Sequence, residues 1–397
     1  MTTRPTEGGI TRNAVILLLC NMLFICSISI DLALTGIVGA RLSPTPALAT
    51  LPFALITVGT ALTTWGASDL MSRIGRRAGF MSGTAMGAAG GLVSVWSVLH
   101  AQFWGFCLGT MMVGIWQAFS QYYRLAAADN VADATKPRMI SWVLAGGLGA
   151  ALAGPALANW SRGWLHDPDF AGAYLAVAGL AAISLILLLV YRDSADLPQA
   201  RTGTPVPFAA LFARPDYRAA LASSVVSGVV MMFLMTAAPI AALKAGLGVT
   251  ASTSVIQWHL LGMYGPSLFT GMLIGRFGLG PVLQTGIAIM VACVAIAISA
   301  PTDLGFHAAL LALGLGWNFM FVSGTTLLAR SHTPEERARA QGFAEFLRYT
   351  GTALGALLAG PLLEIFGWAT LNLAVLPLLL LAAWVTLGWH KRQAVLP

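Results

Sequence analysis

Uncharged, continuously apolar runs of about twenty residues recur along this chain, among them AGAYLAVAGLAAISLILLLV at 171–190. A helix needs about 20 such residues to cross a hydrocarbon core roughly 30 Å thick. Backbone inside that core must satisfy its own hydrogen bonds, which leaves helices or closed barrels, and these runs lack the alternation of barrel strands. Charged residues make up only 9% of the chain, against about 25% in a typical soluble domain. The fold class that follows is all-α and integral to a membrane.

Runs bounded by charge, Pro or Gly place twelve spans, at approximately 13–39, 46–68, 78–99, 103–124, 139–160, 171–191, 219–243, 253–275, 281–300, 305–329, 342–365 and 368–388. An even count puts both termini on one side, and the Lys/Arg bias of the loops identifies it. Of 22 Lys and Arg, three (Arg41, Arg162, Lys244) lie in odd-to-even connections, seventeen in the termini and the other connections, and Arg124 and Arg348 at or within span ends on the same side as the seventeen. Both termini are therefore expected in the cytoplasm, with a bacterial inner membrane as the setting. The net charge of +7 is explained by this topology, since no basic stripe or tail suggests nucleic acid. The four cysteines sit inside apolar runs without paired or metal-ligand spacing, as small buried hydrophobes do.

The longest polar connection, 192–218, carries four prolines and seven charges. It divides the chain into six-span bundles at 1–191 and 219–397. The halves repeat each other: LGAALAGP at 148–155 and LGALLAGP at 354–361 differ at one position, and Arg73-Ile74-Gly75 recurs as Arg276-Phe277-Gly278. Parallel repeats of this kind are expected where two halves rock to alternate access to a midplane site. A duplicated channel or scaffold would also show them.

Ser72-Arg73-Ile74-Gly75-Arg76-Arg77, after the second span, resembles the loop signature of the major facilitator superfamily, Gly-x-x-x-Asp-Arg-x-Gly-Arg-Arg. With the spans, the linker and the repeats, the resemblance covers the whole chain, and it implies a secondary transporter of twelve helices in two bundles. The family's Asp position is Ser72 and its leading Gly is Ser68; Asp69, three residues before Ser72 and on nearly the same face, is the candidate replacement in a gate motif of Asp69, Arg73, Gly75, Arg76 and Arg77. The buried Arg usual in the fourth span is absent, Thr110 and Gly114 standing in that pattern. Asp129 and Arg138 match the family's charged residues between spans four and five. Gly149, Gly154 and Pro155 resemble an antiporter signature with altered spacing, which favours efflux; packing through small residues is the competing reading.

Ionisable residues inside spans are costly and mark function by default. Asp31, in SISIDLALTG of the first span, is the leading candidate for proton coupling, with Glu345 and His259 behind it. Hydration at the outer rim or a structural partner would account for Asp31 otherwise, and His259 would be a satisfied polar residue. Gln117, Gln121 and Arg124 recur at spacings of four and three and are expected on one face of the fourth span, towards a substrate cavity. Gln341, Glu345 and Arg348 repeat the pattern in the eleventh, where Glu345 and Arg348 are also spaced to pair with each other. Asn21, Gln257, Trp258 and Asn318 complete the cavity set, and Met231, Met232 and Met235 suit either its apolar wall or packing.

No nucleotide-binding loop, metal cluster or nucleophile elbow is present in the sequence, so neither an enzyme, a cofactor nor direct ATP drive is expected. The expected partners are a small-molecule substrate, protons and the bilayer, with a monomer as the working unit. Proton-coupled efflux of an amphipathic metabolite or drug is the favoured activity. Uptake or exchange of a small organic anion, suggested by Arg124 and Arg348, is the alternative, and a non-transporting sensor or scaffold is the alternative class.

Overall fold

The computed structural model describes residues 12–127, 147, 149–150, 153–165, 170–192, 207–333 and 336–393. Asp129, Lys136, Arg138, most of the first half of the fifth span, residues 193–206 of the linker and both chain ends lie outside the described residues. No strand occurs among those described, and eight helical stretches are long and apolar enough to cross a membrane. The chain divides into two compact units, Met1–Pro198 and Gln199–Pro397.

The first unit contains α1 (Arg12–Leu42), α2 (Leu51–Ile74), α3 (Arg76–Leu99), α4 (Phe103–Ser120), the short α5 (Tyr123–Ala126), α6 (residues 153–161) and α7 (Ala171–Val190). Without a hydrophobic drive between helices in lipid, small residues let backbones approach closely. Gly87 lies against the Trp116 ring, and Gly90 lies against the backbone of Gly109, so α3 and α4 pack where a Cβ would collide.

The second unit contains α8 (Phe208–Ala213), α9 (Pro215–Lys244), α10 (Val249–Tyr264), α11 (Ser267–Phe277), α12 (Leu279–Ser299), α13 (Asp303–Arg330), α14 (Arg337–Leu373) and α15 (Leu376–Gln393). α10 and α13 pack through Gly262 against the Leu311 carbonyl and Gly314 against that of His259.

The recurring Arg-x-Gly triplets have a common structural cause. Gly75 joins α2 to α3 at φ 85°, ψ 159°, and Gly278 joins α11 to α12 at φ 85°, ψ 167°. Gly367, inside α14, leaves helical geometry at φ 74°, ψ 175°. That region is essentially closed to side chains, so each glycine turns one helix directly into the next.

Three expectations from the sequence need correction. The eighth span is two helices, because Pro266 has no N–H to continue the ladder and the chain breaks at Gly265-Pro266. α4 ends at Ser120 and the chain turns at Gln121-Tyr122 before α5, so one continuous face does not carry Gln117, Gln121 and Arg124. The turn lets Tyr123 enter the core, edge-on to Phe80 at 4.9 Å. Residues 208–213 and 215–218, taken as linker, are helical, with Pro215 at the first turn of α9 where a missing N–H costs nothing.

Candidate functional site

In the first unit, α1 carries Asp31 into a fully buried position. Thr35, one turn later on the same face, donates its hydroxyl to Asp31 Oδ1 at 3.1 Å and lies 3.1 Å from the Tyr174 hydroxyl of α7. Asp31 Oδ2 has no hydrogen-bond partner among the described residues. Asp31 thus has one carboxylate oxygen held and the other unengaged, in a cluster with two hydroxyls that can each give and accept hydrogen bonds. Thr35 was legible beforehand from its spacing of four after Asp31. Tyr174 was not, being 139 residues distant from Thr35.

The Gly-Pro segment of α6 packs against α1. A Cβ on Gly154 would meet Ser29 and the Cys26 carbonyl of α1, whereas one on Gly149 would touch only Met22. Asn21 is half-buried on α1 and engaged by other groups. Gln117 and Gln121 are half-buried as well, at the end of α4; the side chain of Arg124 lies outside those described.

The residues expected to form a gate, Asp69, Arg73, Gly75, Arg76 and Arg77, lie at the α2–α3 elbow. Asp69 pairs with Arg73 at 2.9 Å across one turn, with side chains 62% and 72% exposed; such a pair contributes only about 0.3–0.5 kcal/mol. Arg77 donates from Nη2 to the Leu189 carbonyl at 2.6 Å, capping a carbonyl that the end of α7 leaves without a helical partner. Arg76 is half-buried and makes contacts of its own.

In the second unit, Asn318 is almost wholly buried and committed to the break between α10 and α11. Its Nδ2 donates to the Met263 carbonyl at 2.8 Å and to Ser267 Oγ at 2.7 Å, and its Oδ1 accepts from Thr270 Oγ1 at 2.6 Å. The polar groups at the break thus engage both amide hydrogens and one lone pair of Asn318, which was expected in a substrate cavity. His259 is also buried, donating from Nδ1 to the Leu310 carbonyl at 3.0 Å, while Nε2 finds no partner among the described residues. Trp258 is largely exposed and meets the His307 ring edge-on at 6.4 Å, and Gln257 is half-buried and engaged. Met231 and Met235 are buried packing residues of α9.

Arg348 and Glu345 form an ion pair through both Nε, at 3.1 Å, and Nη2. The Arg348 guanidinium also lies over Tyr349, 4.3 Å from the ring centre, and 5.6 Å from that of Phe321. Phe321 in turn stacks on Trp317, with centroids 4.7 Å apart and planes within 10°. The guanidinium charge is thus answered by Glu345, and the ion pair is bordered by aromatic rings. Sequence reasoning singled out Glu345 and Arg348 but not the aromatic pair, for which the spacing of four between Trp317 and Phe321 was the available signal. It missed a long-range ion pair as well. Arg214, at the start of α9, binds Glu336 through both guanidinium nitrogens at 2.6 and 2.8 Å, reaching across 122 positions in the chain.

Helical units with matching elbows, a proline-broken span and ionisable groups held inside spans define a polytopic membrane transporter. The model of the Major Facilitator Superfamily matches residues 17–331 and 220–395, and the chain belongs to that superfamily. It is 40% identical over 373 residues, 93% of its length and 94% of the relative's, to the riboflavin transporter RfnT of Brucella anthropi. It is 28% identical over 365 residues to YdeG of Bacillus subtilis, an uncharacterized transporter of this type, covering 87% of this chain and 85% of that one. Among solved structures, the nucleoside transporter NupG superposes with a TM-score of 0.73 at 15% identity, covering 96% of this chain and all of the other. That likeness establishes the shared fold.

Proposed function

We propose that this transporter takes up riboflavin, or a flavin close to it, in exchange for the energy of a proton gradient. The observation that carries the reading is the 40% identity to a riboflavin transporter along nearly the full length of both chains. The chemistry of the second unit agrees with it. Riboflavin is uncharged at neutral pH and presents a planar tricyclic ring, which the Trp317 and Phe321 faces suit, while the Arg348–Glu345 pair has polar edges for the sugar alcohol without demanding a charge. An organic anion would have to compete with Glu345 for the guanidinium. The case for efflux rested on the Gly-Pro segment and on largely apolar cavity candidates; contact of Gly154 with Ser29 and Cys26 accounts for that glycine by packing, and an apolar cavity suits uptake as well as efflux. Proton coupling is assigned to Asp31 with Thr35 and Tyr174.

Uptake of labelled riboflavin by cells expressing the chain tests the substrate, with a vector control and expression verified at the membrane. Uptake no faster than the control would refute it. In proteoliposomes, Asp31→Asn is expected to abolish accumulation driven by an imposed pH gradient while sparing riboflavin binding. Native accumulation by that variant would remove Asp31 from coupling.

A further inference from the structure

α15 presents an exposed apolar row, Leu380, Leu381, Trp384 and Leu387, with Trp384 75% exposed. Their spacing follows one helical face, and the same face continues through Gly388 to Arg392 in the last turn. Apolar side chains left open on a spanning helix face hydrocarbon, so this row is a track along which lipid tails lie. At its basic end, α8, α9 and α15 form an open cavity of about 510 Å³ lined by Phe212, Leu221, Trp384, Trp389, Arg218 and Arg392. The floor is held in place by Asp216, which accepts from Trp389 Nε1 and, at 3.2 Å, from Gln393 Nε2. Its carboxylate keeps its negative charge, since both donors are neutral, but it pairs with neither arginine: neither Arg218 nor Arg392 forms an ion pair among the described residues. Both arginines are exposed.

We propose that this cavity is a binding site for the headgroup of an anionic phospholipid, with Arg218 and Arg392 on the phosphate and the acyl chains along the Trp384 row. Two arginines against the one carboxylate of Asp216 leave the mouth net positive, which calls for an anion, and basic pockets between spans at a membrane face are suited to lipid phosphates. The apolar walls select a lipid over a free ion, since inorganic phosphate gains nothing from Phe212, Leu221 or Trp384. The site is independent of the transported substrate.

Native mass spectrometry of the full-length protein, exchanged into mixed micelles with phosphatidylglycerol or phosphatidylcholine, tests the assignment. The native chain should retain phosphatidylglycerol in preference to phosphatidylcholine, and the Arg218→Gln/Arg392→Gln variant should lose that preference. A basic residue at an anionic surface contributes roughly fivefold in affinity, so the double change should weaken phosphatidylglycerol retention by about 30-fold. Arg392→Gln alone, at an exposed position in the last turn, should show about a fivefold loss and serves if the double variant does not fold. Equal retention of the two lipids by the native chain, or unchanged retention by the variants, would overturn the site. Displacement of the lipid by millimolar inorganic phosphate would overturn it too, in favour of a free-anion site.

Discussion

Asn318→Ala should destabilise the second unit by about 3 kcal/mol. The amide makes three hydrogen bonds at the α10–α11 break, to the Met263 carbonyl, Ser267 Oγ and Thr270 Oγ1. Side-chain bonds between membrane helices average about 0.6 kcal/mol each, which gives about 2 kcal/mol for the set. A buried carbonyl stranded without a donor costs about 1–3 kcal/mol more. The lower end applies here, because Ser267 Oγ already lies 3.5 Å from the Met263 carbonyl and has only a short way to turn. Thr270 keeps the Pro266 carbonyl as an alternative acceptor at 2.7 Å. Reversible unfolding by SDS in mixed micelles would report the change as a displaced midpoint. A second background isolates the cause. In Pro266→Ala an unbroken helix would bring the Ser267 N–H to the Met263 carbonyl, so the cost of Asn318→Ala should shrink. A cost below about 0.5 kcal/mol in the native background, or the same cost in both backgrounds, would refute the reasoning.

Two further outcomes follow from features at the ends of the spans. Gly278→Ala places a Cβ at φ 85°, ψ 167° and should cost about 1–3 kcal/mol, seen as a lower melting temperature in detergent, whereas Gly271→Ala, in open space within α11, should be nearly neutral. The Arg214 guanidinium and the Thr333 N–H hold the Glu336 carboxyl down to about 2 from its ordinary 4.5. A depressed carboxyl contributes stability that is complete above 4.5 and lost as pH falls towards 2. Glu336→Gln should therefore flatten the acid limb of stability against pH in that window, and an unchanged limb would show that other carboxylates set it.

The parts of the fold that were legible in the sequence are those a local rule dictates. Long apolar runs require helices in lipid, and the Arg-x-Gly repeats marked elbows because only glycine accepts the backbone angles found at Gly75 and Gly278. The break in the eighth span carried its signal in Gly265-Pro266, but the apolar run continues across it, and hydropathy averaged over a window hides a missing N–H. Candidate-site residues were harder to assign. Polarity within a span picked out Asp31, Asn318 and Arg348 correctly as unusual, yet what each does depends on partners set by tertiary packing. Asp31 meets Tyr174 through Thr35, Asn318 serves the backbone of another helix, and Arg348 is answered by Glu345. Arg214 and Glu336 could not be matched from spacing at all, since they meet only once α9 and α14 have formed.

The glycine elbows also limit how each unit can deform. A loop of several residues would let neighbouring helices slide along each other, but a single-residue hinge between α2 and α3, and another between α11 and α12, leaves no slack for axial travel. Force applied to one arm of such a hairpin is transmitted to the other at the elbow. Relative motion within each of these two pairs is thus confined to swinging or bending about the elbow, and a piston stroke of α2 against α3, or of α11 against α12, is opposed by the chain itself.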